Sequence, residues 1–145
     1  MLNINNMGKI IKIKGASFSL NAITEASSVT YILGDYGHEG IYYNASTYKI
    51  VEGENTTLGI IPIPAGYKKV IISGFTSLTT RSCKLCSNII EGVAGEVLSV
   101  VSSVDVSNST QATIDIPSTA KSIVFYVKSV SPTTYDDSSA TLTFY

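Results

Sequence analysis

"TLGIIPIPAGYKKVIISGF", residues 57–75, contains two runs of apolar and β-branched residues separated by a Pro-Ala-Gly break. Each run is too short for a helix and is bounded by turn-forming residues, which is typical of two strands joined at a corner. Similar short runs recur at residues 9–14, 29–33, 97–104, 112–116, 122–128 and 140–145. About eight strands with little helix predict an all-β protein, an antiparallel β-sandwich of the jelly-roll type. Only residues 21–28 could form a helical turn or two.

The proline break has a counterpart later in the chain. "IPAGYKKVIIS", which begins at Ile63, and "IPSTAKSIVFY", which begins at Ile116, share Ile-Pro, three small or turn-forming residues, a lysine, a polar residue and an apolar run. Proline has a fixed φ and cannot donate a hydrogen bond within a sheet. Pro64 and Pro117 are therefore each expected to end a strand at a corner where the chain crosses to the other sheet. The likeness is interpreted as a repeated corner, and not as a gene duplication.

Length and charge limit the classes of partner. A chain of 145 residues has the size of one domain, so a single sandwich over residues 1–145 is expected. Charged residues make up 14% of the chain and the net charge is -1, which indicates no basic surface for nucleic acid or an anionic membrane. No stretch has the pattern of a cleaved secretion signal or the apolar length of a membrane span. Neither nucleic acid nor a membrane is expected as a partner.

"CKLC", residues 83–86, has the spacing of a redox pair or of half a zinc site. A closed zinc site needs four ligands, and the chain offers only these two cysteines and one histidine. The motif is interpreted as two reduced or partly buried thiols, with a disulfide and a metal site as the alternatives. We expect no cofactor and no metal site.

Two further segments carry residues that could perform chemistry. "GDYGHEG", residues 34–40, brings Asp35 and His38 into one glycine-rich loop, and "TYDDSS", residues 134–139, could form a calcium loop. Both are interpreted as turns, because glycine and Asx residues commonly serve that purpose between strands. His38 has no apparent orienting partner and no serine lies in a Gly-x-Ser-x-Gly elbow, so no catalytic residue is assigned and no enzyme is expected.

A binding site is the alternative use of the region that follows. Tyr42, Tyr43 and Tyr48 lie close together after the glycine-rich loop, and sandwiches can bind sugars on exposed tyrosines. Adjacent residues of a strand face opposite sides, so at most one of Tyr42 and Tyr43 shares a surface with Tyr48. If these tyrosines and Asp35 and His38 form one exposed apex, they are the candidate ligand-binding residues.

The segment "IKIKGASFSLNAI", residues 11–23, resembles a signature of β-rich structural proteins of phages that infect gut Bacteroidales, including the crAss-like phages. That signature is close to Ile-Lys-Gly-Ala-Asp-Phe-Ser-Ala-Asn-Ala-Ile/Val. The agreeing positions are Ile13, Lys14, Gly15, Ala16, Phe18, Ser19, Asn21, Ala22 and Ile23, while Ser17 and Leu20 depart from it. The stretches at residues 48–55 and 63–70 also look like the corner that follows in such domains. Similar segments occur in host surface and carbohydrate-binding proteins.

The resemblance implies a component of the virion, made in the host cytoplasm: a capsid decoration protein, a head fibre or a receptor-binding tip. A chain that holds little beyond one sandwich is expected to sit on the capsid, as a decoration or head-fibre protein, and not to form a long tail fibre. Its expected partners are copies of itself, with a trimer favoured, and the major capsid protein or other virion proteins. A carbohydrate or host-surface binding module, with a host glycan as ligand, is the alternative function.

Overall fold

The structure, a computed structural model, describes residues 27–107, 109–128, 135 and 137–145. Nine β-strands and one short 3-10 turn, Leu33–Tyr36, are present in these residues. The strands are β1 Val29–Ile32, β2 Gly37–Asn44, β3 Lys49–Pro62, β4 Lys69–Ser73, β5 Arg81–Cys86, β6 Val100–Val106, β7 Gln111–Asp115, β8 Ser122–Val127 and β9 Thr141–Phe144. The described residues between Thr30 and Phe144 form one compact unit. The expectation of a single domain over residues 1–145 extends beyond the described residues and stays a prediction.

The strands form two antiparallel sheets. One has four strands in the order β1-β9-β4-β7, and the other has five in the order β2-β3-β8-β5-β6. From β3 onward, successive strands belong to different sheets, except for β5 and β6, which form a hairpin. Most strands therefore pair with strands that are distant in the sequence. This is the wrapped topology of a jelly roll, in which β2 is an additional edge strand beside β3. The predicted fold class is confirmed.

The four-stranded sheet buries one face. Its alternating buried residues are Val70 and Ile72 of β4, Ile114 of β7, and Leu142 and Phe144 of β9. The paired strands bring Val70 opposite both Phe144 and Ile114. Alternate residues of these strands, among them Thr113, Thr141 and Thr143, lie on the opposite face because side chains alternate along a strand. This sheet follows the pattern of one apolar face and one hydroxyl-rich face.

The inner strands of the five-stranded sheet are buried on both faces. All six residues of its central strand β8 are buried. Phe125 stacks on Phe75, which follows β4 of the other sheet, with ring centroids 5.8 Å apart. Val124 and Tyr126 face the opposite way and belong to a second cluster, on the outer side of the sheet. The members of this cluster are Ile41, Tyr43, Ile50, Leu58, Ile60, Cys86, Ile90, Leu98, Val124 and Tyr126.

Residues 87–99, which we call the covering segment, contribute Ile90 and Leu98 to the outer cluster. The segment also bonds to the first half of β3. The Ile50 amide donates to the Glu96 carbonyl over 2.9 Å, and the Gly95 amide donates to the Ile50 carbonyl over 2.7 Å. Leu98 donates to the carbonyl of Tyr48 over 3.0 Å. The segment thus buries apolar residues that an uncovered sheet would expose.

Most predicted strands are present, and the differences have physical reasons. Seven of the predicted runs overlap β1, β3, β4, β6, β7, β8 and β9. Strand β2 falls partly in the segment interpreted as a glycine-rich loop. Strand β5 is the "RSCKLC" stretch, in which an arginine and a lysine interrupt the apolar pattern that is typical of a buried strand. Strand β5 is an interior strand because it pairs with both β6 and β8. The predictions for residues 9–14 and 21–26 lie outside the described residues.

Candidate functional site

The two similar Ile-Pro stretches form neighbouring corners of the fold. One joins β3 to β4, and the other joins β7 to β8. The Ile63 amide donates to the carbonyl of Lys121 over 2.9 Å, and the Ile116 amide donates to the carbonyl of Lys68 over 2.8 Å. Ile63 corresponds to Ile116 in the sequence likeness, and Lys68 corresponds to Lys121. The two corners are therefore joined by a reciprocal pair of hydrogen bonds, and the predicted crossings between sheets are confirmed.

Strand pairing explains why the corners meet. Strand β3 pairs with β8 as far as Pro62 opposite Ser122, and β4 pairs with β7 from Lys69 opposite Asp115. The two corner bonds continue these ladders by one residue at the same end of the sandwich. The corners differ in their turns, because Gly66 has a φ of 91° in the left-handed region, which glycine adopts without strain.

A cavity of about 610 Å³ lies between the two corners. We call it the corner cleft. Its wall residues are Pro62, Ile63, Pro64, Ala65, Gly66, Tyr67 and Lys68 from the first corner, Ile116, Pro117, Ser118, Ala120 and Lys121 from the second, and Ile89 from the covering segment. A volume between about 300 and 1,000 Å³ is usual for sites that bind small molecules. The cleft is our candidate functional site.

The cleft combines an apolar lining with positive charge. Isoleucine and proline side chains supply much of its surface, and Tyr67 supplies the one aromatic ring. That ring packs beside Phe144 of β9, with centroids 6.2 Å apart, which positions it against the core. Lys68 and Lys121 are exposed, and no aspartate or glutamate belongs to the described lining. The arrangement suits an anionic ligand with an apolar face.

Tyr42, Tyr43 and Tyr48 do not form one exposed apex. Tyr43 is only 4% exposed and packs against Tyr126, with ring centroids 5.7 Å apart. Burial is the main cause that raises the pKa of Tyr43 above its ordinary value. Tyr42 lies on the other face of β2, beside Gly53, as the alternation of side chains predicts. The expectation of Tyr43 as a surface ligand-binding residue was wrong, because the covering segment buries its side of the sheet.

The other three predicted residues are dispersed around β2. Tyr48 is 59% exposed in the turn between β2 and β3, where its φ is 59°. Asp35 is exposed in the 3-10 turn before β2. His38 lies within β2, opposite Leu58, and its ring approaches Gly92 of the covering segment so closely that a Cβ there would lie 2.8 Å from Nδ1. Ligand binding by Tyr42, Tyr48, Asp35 and His38 stays a prediction.

Cys83 and Cys86 are both free and buried. Burial raises the pKa of each thiol from 9.0 to about 12, so the nucleophilic thiolate is scarce near neutral pH. This agrees with the interpretation as reduced thiols. Over the described part of the chain, no three His, Cys, Asp or Glu residues come together as metal ligands.

No family model, curated protein or solved structure matches this chain. Within the residues that the structure describes, no helix is long and apolar enough to cross a membrane. The sequence likeness between the corners was the available signal for the corner cleft, although it did not indicate that the two corners lie side by side.

Proposed function

We propose that the protein is a phage virion protein that acts as an auxiliary capsid (decoration) protein or a head-fibre protein. The resemblance at residues 13–23 supports this role, and so does the jelly roll, which is a recurrent architecture of viral capsid and lectin domains. In this proposal the protein associates with copies of itself and docks on the major capsid protein or another virion protein. A trimer is favoured because the local three-fold positions of a capsid and the symmetry of fibres both suit three copies.

The observation that carries the proposal is the concentration of exposed apolar side chains on and beside the covering segment. The large exposed apolar residues of this region outside the corner cleft are Tyr48, Val93, Val97 and Val101. Val97 forms an isolated bridge with Lys49, which places it next to the turn that holds Tyr48. Exposed apolar side chains gathered in one region favour contact with another protein. Strand β6, which holds Val101, is at the end of its sheet among the described strands and offers backbone groups for the same purpose.

The mass of the full chain in solution tests this proposal. Light scattering should give a stable oligomer, and the double variant Val93→Glu/Val97→Glu should be a folded monomer because charge is placed in the contact surface. Leu78→Glu is the matched control, since Leu78 is 56% exposed and belongs to the β4–β5 connection, outside the covering segment. A monomeric wild-type chain at every concentration would contradict self-association. Unchanged mass of the double variant would contradict the assigned surface.

Carbohydrate or host-surface binding is the second candidate function. The corner cleft favours it, because the cleft has the volume of a small-molecule site and contains an aromatic ring beside two lysines. A virion protein that docks through one surface could hold a glycan at another. The two candidate functions are therefore testable separately on the same protein.

A further inference from the structure

The two lysines of the corner cleft differ from Lys69 and Lys128, which form ion pairs. Lys69 pairs with Asp115 over 2.6 Å, and Lys128 pairs with Asp105 over 2.5 Å. In contrast, the ammonium groups of Lys68 and Lys121 have no ion-pair partner among the residues of the described structure. Both line one cavity from equivalent positions of the two corners. Their charges can therefore act together on a negatively charged group in the cleft.

The backbone of the cleft is poorly suited to a peptide strand. Pro62, Pro64 and Pro117 have no amide hydrogen. The amides of Ile63 and Ile116 donate to the facing corner, and other wall amides are used as well, since Ala120 donates to the carbonyl of Pro117 and Lys121 donates to that of Cys86. A peptide bound by strand addition needs free main-chain groups. A ligand that is bound by side chains is favoured instead.

We propose that the corner cleft binds a carboxylate-bearing sugar unit of a glycan. Lys68 and Lys121 pair with the carboxylate, and Tyr67 with the neighbouring isoleucine and proline side chains contacts the apolar face of the sugar ring. This inference deepens the second candidate function and does not depend on self-association. Charge complementarity carries it, because the described lining holds two cations and no carboxylate.

Trigalacturonic acid is the probe. Its trimethyl ester is the control ligand, because it has a similar shape but no charged carboxylate. We expect amide chemical shifts of the full chain to move at residues 62–68 and 116–121 on addition of the acid, and little movement with the ester. Lys68→Gln and Lys121→Gln should each weaken binding about tenfold, as for the loss of one charge-assisted contact. Tyr67→Ala should weaken it to a similar degree while light scattering gives the wild-type mass.

Lys69→Gln is the matched control, since Lys69 adjoins Lys68 in sequence but does not line the cleft. It should bind the acid as the wild type does. Absence of binding, equal binding of the ester, or wild-type affinity in both cleft-lysine variants would overturn the inference. Equal competition by a hexaglutamate peptide would overturn the assignment to a sugar. None of these results bears on the capsid role, which the mass measurement decides.

Discussion

Arg81 and Asp137 form a buried, bidentate ion pair across 56 positions of sequence. The Nε and Nη2 atoms of Arg81 each donate to one carboxylate oxygen of Asp137 over 2.7 Å. Nη1 donates to the carbonyls of Ser77 and Thr79, and the guanidinium lies 4.3 Å from the ring centroid of Phe75. One side chain therefore joins the start of β5, the β4–β5 connection and the residues before β9. Asp137 falls in the segment interpreted as a turn, and its ion pair is a structural role that the sequence did not indicate.

Removal of Arg81 should strongly destabilise the fold. In Arg81→Met the carboxylate of Asp137 stays buried without its partner, and such a loss costs about 3–5 kcal/mol of unfolding free energy. Urea denaturation followed by circular dichroism measures the change. The double variant Arg81→Met/Asp137→Asn should be more stable than Arg81→Met, because no uncompensated charge is buried. Equal stability of the single and double variants would contradict the pairing.

The covering segment should contribute to stability through its buried residue and not through its exposed neighbour. Leu98 is 4% exposed and Val97 is 49% exposed. Leu98→Ala should lower the free energy of unfolding by about 2–5 kcal/mol, as expected for a cavity in a packed cluster. At protein concentrations where the chain is monomeric, Val97→Ala should change it by less than about 0.5 kcal/mol. Similar losses in both variants would show that the segment does not cover the sheet in solution.

Glu96 should hold the turn of the covering segment. Its carboxylate accepts hydrogen bonds from the amides of Glu91, Gly92 and Val93 over 2.9–3.1 Å. Glu96→Gln removes the charge and places an amide group against those donors, so we expect a loss of about 1–3 kcal/mol in urea denaturation. Glu91→Gln is the control, because that exposed side chain has no such role. Amide exchange at residues 91–93 should accelerate in the Glu96 variant alone.

The buried thiols should make the protein less stable in alkali. Below pH 9 the thiols are protonated in both the folded and the unfolded chain and have no effect. Between pH 9 and about 12 they ionise only when unfolded, because burial raises the folded-state pKa to about 12. The free energy of unfolding therefore falls with rising pH, by at most about 1.4 kcal/mol per pH unit for each thiol.

The double variant Cys83→Ala/Cys86→Ala tests this effect. Its free energy of unfolding should depend less steeply on pH between 9 and 11 than that of the wild type, whatever its stability at pH 7. Denaturant titrations at successive pH values provide the slope. An unchanged slope would mean that neither thiol is buried in solution.

The sequence could predict part of the candidate site. The likeness between the two Ile-Pro stretches indicated two corners, and both are present. It could not indicate that the Ile63 amide bonds to Lys121, because that contact depends on β3 pairing with β8, about 60 positions away along the chain. The burial of Tyr43 could not be predicted for a similar reason, since it depends on a segment from another part of the chain.

The sequence by itself determined the all-β class, most of the strands and the two proline corners. These follow from local causes, namely the alternation of side chains, β-branched residues and the geometry of proline. Only the tertiary structure decided that "RSCKLC" is an interior strand of its sheet. It also decided that residues 87–99 cover a second apolar face and that Lys68 and Lys121 line the same cleft. Each of these depends on which distant strands pair, and a local pattern of residues does not specify that choice.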